Sequence, residues 1–393
     1  MSRYHSYLNS AKEIIAAYHG EEPFASFIKK YFAQHKKFGS KDRKHISHLC
    51  YCYFRLGKSV LALPVEEKIL MSLFLCSFES NDILAALKPE WNEKVSLSIA
   101  EKCSMINDQC SILNVFPWKD ELSEGIDHEK FCESFFVQPD LFIRIRPHHA
   151  EEALLKLYDA GVKYEFISPF TIRLPNSFKL ESVFDINKNV IIQDYSSQQI
   201  MHLLPVDHGK SLRVWDCCAA SGGKSIMAYD VNPHIELTVS DIRESILTNL
   251  KKRFAEAGIR KYKSFVADLS THSPTDSYRD TTHHSSYDLI ICDAPCTGSG
   301  TWSRTPEQLY FFNQQAIEKY SNLQKKIISN VIPHLKPGGH LLYITCSVFK
   351  KENDEVAEFI KSEDDLSVEK MELIKGYDKK ADTLFAALLQ KPL

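Results

Sequence analysis

Apolar residues recur at helical spacing through the first third of the chain. The pattern is clear in residues 7–15, 24–32 and 46–53, where apolar side chains return every three or four positions. Such spacing places the apolar side chains on one face of a helix, which packs against its neighbours. The pattern therefore predicts an all-helical domain over residues 1–130.

The hydrophobic pattern changes over residues 131–205. Residues 141–145 resemble a strand, residues 150–160 resemble a helix, and residues 164–166 and 171–174 are short strand candidates. A few strands with one helix between them predict a small α+β module over this region.

Strand-like and helical segments alternate over residues 206–393. The apolar strand candidates are residues 212–216, 237–241, 264–268, 287–292 and 341–344. Helical patterns lie between them, including a long helix predicted over residues 307–335, and the polar residues 270–286 predict a surface loop. Alternation of this kind is typical of an α/β fold with a mostly parallel sheet covered on both faces, here a Rossmann-like domain.

Composition is that of a globular chain. The 393 residues are 44% hydrophobic and 25% charged, and the length predicts two or three domains. No apolar run approaches the roughly 18 residues that a membrane span requires. The N-terminal residues also lack the apolar core of a secretory signal. These features predict a cytoplasmic protein without a membrane partner, and we expect a monomer.

Charge is distributed unevenly along the helical region. Residues 1–60 hold 11 Lys and Arg against 4 Asp and Glu, whereas residues 61–130 hold 6 against 13. The basic block is a candidate RNA-docking surface, and its candidate RNA-binding residues are Lys36, Lys37, Lys41, Arg43 and Lys44. Two alternatives stay open, namely a solvated face and docking on the acidic stretch.

The cysteines do not predict a metal site. The chain has 11 cysteines, and no pair of them has zinc-ligand spacing with partner histidines. We therefore expect reduced thiols and no metal. His283 and His284 are adjacent, but their polar surroundings favour a solvated loop over a metal site.

Residues 216–224 read Asp-Cys-Cys-Ala-Ala-Ser-Gly-Gly-Lys, between a predicted strand and a predicted helix. Small residues and glycines let the backbone approach a ligand, and the helix N-terminus favours a carboxylate such as that of S-adenosylmethionine. Asp241 and Asp268 end further strand candidates and suit the ribose and adenine of this cofactor. The alternatives are a tight turn and ordinary helix caps.

Two cysteines follow apolar strands in the same domain. Cys296 lies in residues 293–300, Asp-Ala-Pro-Cys-Thr-Gly-Ser-Gly, and Cys346 lies in Thr-Cys-Ser. A thiolate that adds to carbon 6 of cytosine makes carbon 5 nucleophilic enough to accept a methyl group. The proton on carbon 5 must then leave to a base, while a carboxyl group near N3, such as Asp293, stabilises the developing charge.

At these motifs the chain resembles the Nop/Sun family of RNA (cytosine-5) methyltransferases, and within it the bacterial RsmB-like branch. The resemblance covers nearly the whole chain. It rests on residues 216–225, 293–300 and 343–347, and further on residues 193–198, the closing segment 381–389 and the NusB-like residues 42–55. Ser221 departs from the proline that is usual in the family.

The resemblance implies a role for each motif residue. Cys346 is the nucleophile, Cys296 resolves the adduct, and Asp293 holds the cytosine. The implied cofactor site for S-adenosylmethionine comprises Cys217, Cys218, Ala219, Ala220, Ser221, Gly222, Gly223, Lys224, Asp241, Asp268 and Asp293. The module at residues 131–205 is expected to be RRM-like.

The expected activity is methylation of a cytosine in 16S ribosomal RNA, with transfer RNA as the second candidate substrate. A methyltransferase for small molecules or proteins would not need both cysteines and a basic helical domain. The alternative from another class is a non-catalytic RNA-binding factor in ribosome assembly. Loss of either cysteine would favour that alternative, and both cysteines are present.

Overall fold

A computed structural model describes residues 3–59, 62–106, 111–205, 211–271, 286–363 and 365–393. The chain divides into two compact units, each built from separate stretches. Unit 1 comprises Met1–Leu122, Ile126–Gln138 and Thr301–Asn313. Unit 2 comprises Ser123–Gly125, Pro139–Gly300 and Gln314–Leu393. The division into three domains at residues 130 and 205 stays a prediction.

Unit 1 is helical, as its apolar spacing predicts. Its helices are α1 (Arg3–Ala17), α2 (Phe24–Gln34), α3 (Ser40–Phe54), α4 (Val65–Cys76), α5 (Asp82–Leu87), α6 (Pro89–Asn92), α7 (Ile99–Met105), α8 (His128–Ser134) and, from the later segment, α13 (Pro306–Phe311). Helix α3 buries Ile46, Leu49, Cys50 and Tyr53, which recur every three or four positions along it. Burial of this apolar stripe stabilises the helix, because an isolated helix of this length is marginal in water.

The long helix predicted over residues 307–335 is two helices, α13 and α14 (Gln315–Val331), which belong to different units. The chain leaves the helical conformation at Phe312, whose ψ is 138°. In unit 1, the ring of Phe312 packs against Trp118 and Trp302, with centroids 4.9 and 4.6 Å away. Burial of this aromatic side chain gives a reason for the break that periodicity alone does not reveal.

Unit 2 contains a small four-stranded sheet with helix α9 (Ala150–Asp159). Its strands are β1 (Leu141–Ile145), β2 (Glu165–Ser168), β3 (Thr171–Leu174) and β4 (Val190–Ile192), in the order β2-β3-β1-β4. Their pairings are all antiparallel. Arg144 and Arg146 of this region each form a 2.7 Å ion pair with the buried side chain of Asp230. Asp230 lies in helix α11 (Gly223–Val231) of the larger α/β region.

The larger sheet of unit 2 carries the strand-end motifs. Its strands are β5 (Arg213–Asp216), β6 (Glu236–Asp241), β7 (Tyr262–Val266), β8 (Tyr287–Asp293), β9 (Leu335–Thr345), β10 (Ser367–Ile374) and β11 (Leu384–Gln390). The strand order is β10-β11-β9-β8-β5-β6-β7. Strands β5 to β9 pair in parallel, whereas β11 is antiparallel to both β9 and β10. This is the Rossmann-like α/β arrangement that the sequence predicts.

Helices cover both faces of this sheet. They are α10 (Tyr195–Gln199), α11 (Gly223–Val231), α12 (Glu244–Glu256), α14 and α15 (Asp354–Glu363). Successive residues of β5 face opposite sides, so Val214 packs in one core cluster and Trp215 in the other. Burial on both faces accounts for the nearly continuous apolar strands of the sequence.

Several predicted boundaries differ from the structure. Strand β7 ends at Val266, so Asp268 lies beyond the strand. The strand candidate at residues 341–344 is part of a longer strand, β9, which already begins at Leu335. Most of the predicted loop at residues 270–286, including His283 and His284, lies outside the described residues.

No helix in the described part of the chain is long and apolar enough to cross a membrane.

Candidate functional site

Four chemically important segments meet at one edge of the larger sheet. Strand β5 ends at Asp216, β6 at Asp241, β8 at Asp293 and β9 at Thr345. Parallel strands present their carboxyl ends on the same side, which is where open α/β sheets bind ligands. The fold therefore brings together motifs that are far apart in the sequence.

The turn after β5 has a tightly constrained backbone. Ala220 and Gly222 have φ values of +44° and +83°, in the left-handed region. A Cβ atom at Gly222 would lie 2.6 Å from a ring carbon of Phe254, so the helix can approach only because this residue is glycine. Ser221, at the position usual for proline, is anchored by Arg253, whose Nη1 donates to its Oγ at 2.7 Å.

Asp241 is buried directly against this turn. Its Oδ2 accepts a hydrogen bond from the Ala220 backbone N–H at 3.0 Å, and its Oδ1 accepts one from the Arg243 N–H at 2.9 Å. Asp268 is exposed beyond β7, and its Oδ1 accepts hydrogen bonds from the N–H and Oγ of Ser270. The structure thus joins Asp241 to the turn, whereas Asp268 lies farther along the same sheet edge.

Lys224, in the first turn of α11, points a buried ammonium group at Asp293. Its Nζ donates to Asp293 Oδ2 at 3.1 Å and to Ser197 Oγ at 2.9 Å. Ser197 belongs to the segment at residues 193–198 that carries part of the family resemblance. The contact gives that segment a physical role, because its hydroxyl helps to orient the lysine beside the carboxylate.

Cys296 and Cys346 form a close pair of thiols. Their Sγ atoms lie 3.4 Å apart, and both side chains are only partly exposed. Contact with Cys346, together with burial, raises the pKa of Cys296 well above that of a free thiol. The proline-cysteine turn and the Thr-Cys-Ser segment, whose cysteines are 50 positions apart, therefore come together at the same edge of the sheet.

Glu352 connects the segments that carry these two thiols, and the sequence reasoning missed it. Its buried carboxylate accepts hydrogen bonds from the Thr297 N–H at 2.9 Å, the Ser347 Oγ at 2.6 Å and the Gln324 Nε2 at 3.0 Å. Burial raises the pKa of Glu352. An acidic residue shortly before an amphipathic helix is usually interpreted as a helix cap. The local sequence therefore does not show that Glu352 links two other segments of the chain.

A second group of thiols lies under the turn after β5. The Sγ atoms of Cys217, Cys218 and Cys292 are all within 4.8 Å of one another. Cys217 and Cys218 are adjacent in the sequence, but Cys292 lies more than 70 positions away from them. The spacing of the cysteines along the chain therefore does not predict this group. Asp216, the residue before Cys217, is fully buried, and its Oδ2 accepts a hydrogen bond from Ser225 Oγ at 2.6 Å. Burial raises the pKa of Asp216 to about 7.

The candidate RNA-binding residues lie in unit 1, between the end of α2 and the first turns of α3. Lys36, Lys37, Lys41 and Lys44 are exposed. Arg43 is partly buried, donates to the Phe38 carbonyl at 2.9 Å, and lies 5.7 Å from the Phe32 ring centroid. The lysines are therefore available to a polyanion, whereas Arg43 also holds the local structure together.

The residues at the sheet edge fit S-adenosylmethionine. The turn has small side chains and left-handed backbone at Ala220 and Gly222, and it leads into the N-terminus of the nine-residue helix α11. That terminus suits a carboxylate, and buried acidic side chains suit hydroxyl and amino groups. These residues can hold the methionine end and the nucleoside of the cofactor.

Comparison with known proteins agrees with this assignment. Residues 200–387 match the family described as 16S rRNA methyltransferase RsmB/F. Ribosomal RNA small subunit methyltransferase B of Erwinia tasmaniensis is 28% identical over 384 residues, covering 86% of each chain. The Enterobacter sp. protein of the same name is 29% identical over 239 residues, which cover 59% of this chain and 54% of that one. The match thus spans about half the length of this second relative.

Solved structures share the fold. The structure of PH0851 covers 98% of this chain and is itself covered to 98%, with a TM-score of 0.69 and 19% identity. NSun6 from Pyrococcus horikoshii, solved with SFG, covers 67% of this chain and is covered to 94%, with a TM-score of 0.57 and 15% identity.

The fold is a Rossmann-like α/β fold, and its strand-end residues resemble the site of an S-adenosylmethionine-dependent methyltransferase. Over residues 200–387, which are 188 of its 393 residues, the chain is similar to the 16S rRNA methyltransferase RsmB/F family.

Proposed function

We propose that this protein transfers a methyl group to carbon 5 of a cytosine in 16S ribosomal RNA. The observation that carries the proposal is the pair of thiols, 3.4 Å apart, at the ends of the strands that also present Asp293. Methyl transfer to an oxygen or nitrogen atom needs no sulfur nucleophile. Carbon 5 of a pyrimidine does need one, because its ring must first be activated at carbon 6.

Cys346 acts as the nucleophile in this proposal. Its thiolate forms a bond to carbon 6, and the displaced electron pair makes carbon 5 nucleophilic. S-adenosylmethionine, when bound, supplies the electrophilic methyl group and leaves as S-adenosylhomocysteine. The proton on carbon 5 then passes to a base, and the electron pair of that C–H bond re-forms the double bond between carbons 5 and 6. The bond between sulfur and carbon 6 breaks at the same time, and its electron pair restores the Cys346 thiolate.

Cys296 and Asp293 assist at different stages. Cys296 Sγ lies 3.4 Å from Cys346 Sγ, which places it beside the adduct and suits it to the release of the RNA. Asp293 holds the pyrimidine ring, and Lys224 Nζ, 3.1 Å from its carboxylate, places positive charge beside it. This ion pair can stabilise the charge that develops at N3.

Ribosomal RNA is favoured as the substrate because relatives over most of the chain carry the name ribosomal RNA small subunit methyltransferase B. Transfer RNA remains the second candidate. The cytosine must be unpaired or flipped out of its stack, because the sulfur and the methyl donor both need access to the ring. A non-catalytic role in ribosome assembly is the alternative outside enzymes, and the close thiol pair argues against it.

The test is methyl transfer by the purified protein from radiolabelled S-adenosylmethionine to 16S rRNA and, separately, to total tRNA. We expect label in 16S rRNA, and bisulfite sequencing should then locate it at a cytosine. The Cys346→Ala variant is the control, because it should retain cofactor binding without transfer. Label in tRNA alone would move the substrate to tRNA. Absence of label in both, with the cofactor bound, would favour the assembly factor.

A further inference from the structure

A cluster of three thiols lies apart from the catalytic pair. Cys217 and Cys218 are in the turn after β5, and Cys292 is in the neighbouring parallel strand β8. The Cys217 N–H donates to the Ile291 carbonyl at 2.9 Å, which holds the turn against β8. The three Sγ atoms lie within 4.8 Å of one another. The methylation chemistry uses none of these sulfurs.

Ordinary core packing is the simpler explanation for a buried cysteine, since a thiol behaves as a small apolar group. Cys217 and Cys292 do belong to a hydrophobic cluster, and Cys218 packs against it. Packing alone does not require sulfur to face sulfur, however. Adjacent residues such as Cys217 and Cys218 would point to opposite faces of an extended strand. Only the turn after Asp216 lets both reach Cys292.

The spacing of the sulfurs suits a thiophilic cation. Zinc–sulfur bonds are about 2.3 Å long, so a tetrahedral zinc ion separates its sulfur ligands by roughly 3.8 Å. Sulfurs within 4.8 Å of one another need only small side-chain rotations to reach that spacing. Thiolates select zinc or copper(I) over hard cations such as magnesium.

We propose that Cys217, Cys218 and Cys292 bind one thiophilic d10 cation, Zn²⁺ or Cu⁺. The site goes beyond methyl transfer. It would join the turn of the cofactor site to strand β8, and thereby brace the backbone that carries Ala220 and Gly222. Its existence is independent of the RNA substrate.

The first experiment measures metal in the full-length protein, purified without chelators, by elemental mass spectrometry. We expect one zinc or copper per chain, and the element identifies the cation. After metal removal, titration with Co²⁺ should produce thiolate-to-cobalt charge-transfer absorption that saturates at one equivalent. A wild-type protein that binds neither cation nor Co²⁺ with thiolate absorption would overturn the proposal.

Variants locate the metal. The double variant Cys217→Ala/Cys292→Ala should lose the cation. The matched double variant Cys296→Ala/Cys346→Ala should keep it, although it removes the other close pair of sulfurs. The reverse result would assign the metal to the catalytic thiols and refute the site proposed here. Circular dichroism and thermal unfolding report whether each variant is folded.

X-ray absorption on the wild-type metal complex tests the ligand set without any substitution. Three sulfur ligands at about 2.3 Å are expected for zinc. A shell with two or fewer sulfurs would overturn the proposal even if the variants failed to fold.

Discussion

Cys296 Sγ lies 3.4 Å from Cys346 Sγ, although the two residues belong to turns that follow different strands. At this distance either thiol can donate a hydrogen bond to the other, and contact with Cys346 together with burial raises the pKa of Cys296. The proposed mechanism gives attack and release to different sulfurs. It also means that substitution of either cysteine changes the surroundings of the other.

Removal of the two thiols one at a time should separate the two steps. Cys346→Ala should abolish methyl transfer and form no covalent complex with RNA. In the Cys296→Ala variant, Cys346 should still attack the cytosine, but the RNA should not be released. A covalent protein–RNA adduct should therefore accumulate and be visible on a denaturing gel. An adduct with Cys346→Ala and none with Cys296→Ala would reverse the two roles.

Asp241→Ala should weaken binding of S-adenosylhomocysteine by about 1–3 kcal/mol, because ribose hydroxyls would lose their acceptor. The substitution also removes the acceptor of the Ala220 N–H, which lies 3.0 Å from Asp241 Oδ2. Isothermal calorimetry measures the change. Glu244→Gln, on the exposed first turn of α12, is the control and should bind as the parent does. Unchanged affinity of Asp241→Ala would remove Asp241 from the cofactor site.

Glu352→Gln should destabilise the protein by about 1–3 kcal/mol and reduce methyl transfer. An amide has only one acceptor oxygen, so its NH₂ group would face donors such as the Thr297 N–H and the Gln324 amide. Denaturant unfolding measures the first effect. The control is Glu355→Gln, at an exposed position of α15, for which we expect parental stability. Parental activity in Glu352→Gln would contradict a positioning role for Glu352.

The stability difference between Glu352→Gln and the parent should depend on pH. Burial raises the folded-state pKa of Glu352, so the folded parent retains a proton that the unfolded chain releases above about pH 4. The parent therefore loses stability as pH rises from about 4 through the raised pKa, whereas glutamine does not titrate. The stability deficit of Glu352→Gln relative to the parent should therefore shrink over that pH interval. A deficit that widens would show that the folded-state pKa of Glu352 is lowered instead.

Neutralising Lys36, Lys37 and Lys41 together, by substitution with Gln, should weaken RNA binding and flatten the slope of log affinity against log salt. Lysine contacts to phosphates release counterions, so they add affinity and salt dependence more than base specificity. Filter binding at several salt concentrations measures both quantities. Lys29→Gln/Lys30→Gln, on nearby helix α2, is the control, because it removes two lysine charges outside the candidate RNA-binding residues. A triple variant with parental affinity and slope would leave the basic block without a role in RNA binding.

Local sequence patterns predicted the elements that depend on neighbours along the chain. The apolar runs of β5, β6 and β8 and the helical spacing of α3 are visible without tertiary contacts, because burial of one face or both leaves a periodic trace. The strand-end motifs followed from the same patterns. Parallel strands place their carboxyl ends together, so Asp216, Asp293 and Cys346 were expected at one edge.

Contacts between distant residues had no such trace, and only the tertiary structure revealed them. The Phe24 N–H donates a hydrogen bond to Glu307 Oε1, although the two residues are 283 positions apart in the sequence. Both residues belong to unit 1, as does Phe312, where the chain leaves helix α13. The Thr297 N–H donates a hydrogen bond to the carboxylate of Glu352, 55 positions away in the sequence. Cys292 lies beside Cys217 because β8 and β5 are neighbouring strands. A periodic pattern records which face of an element is buried. It does not record which residue of another element lies against that face, because that depends on how the strands are ordered and paired.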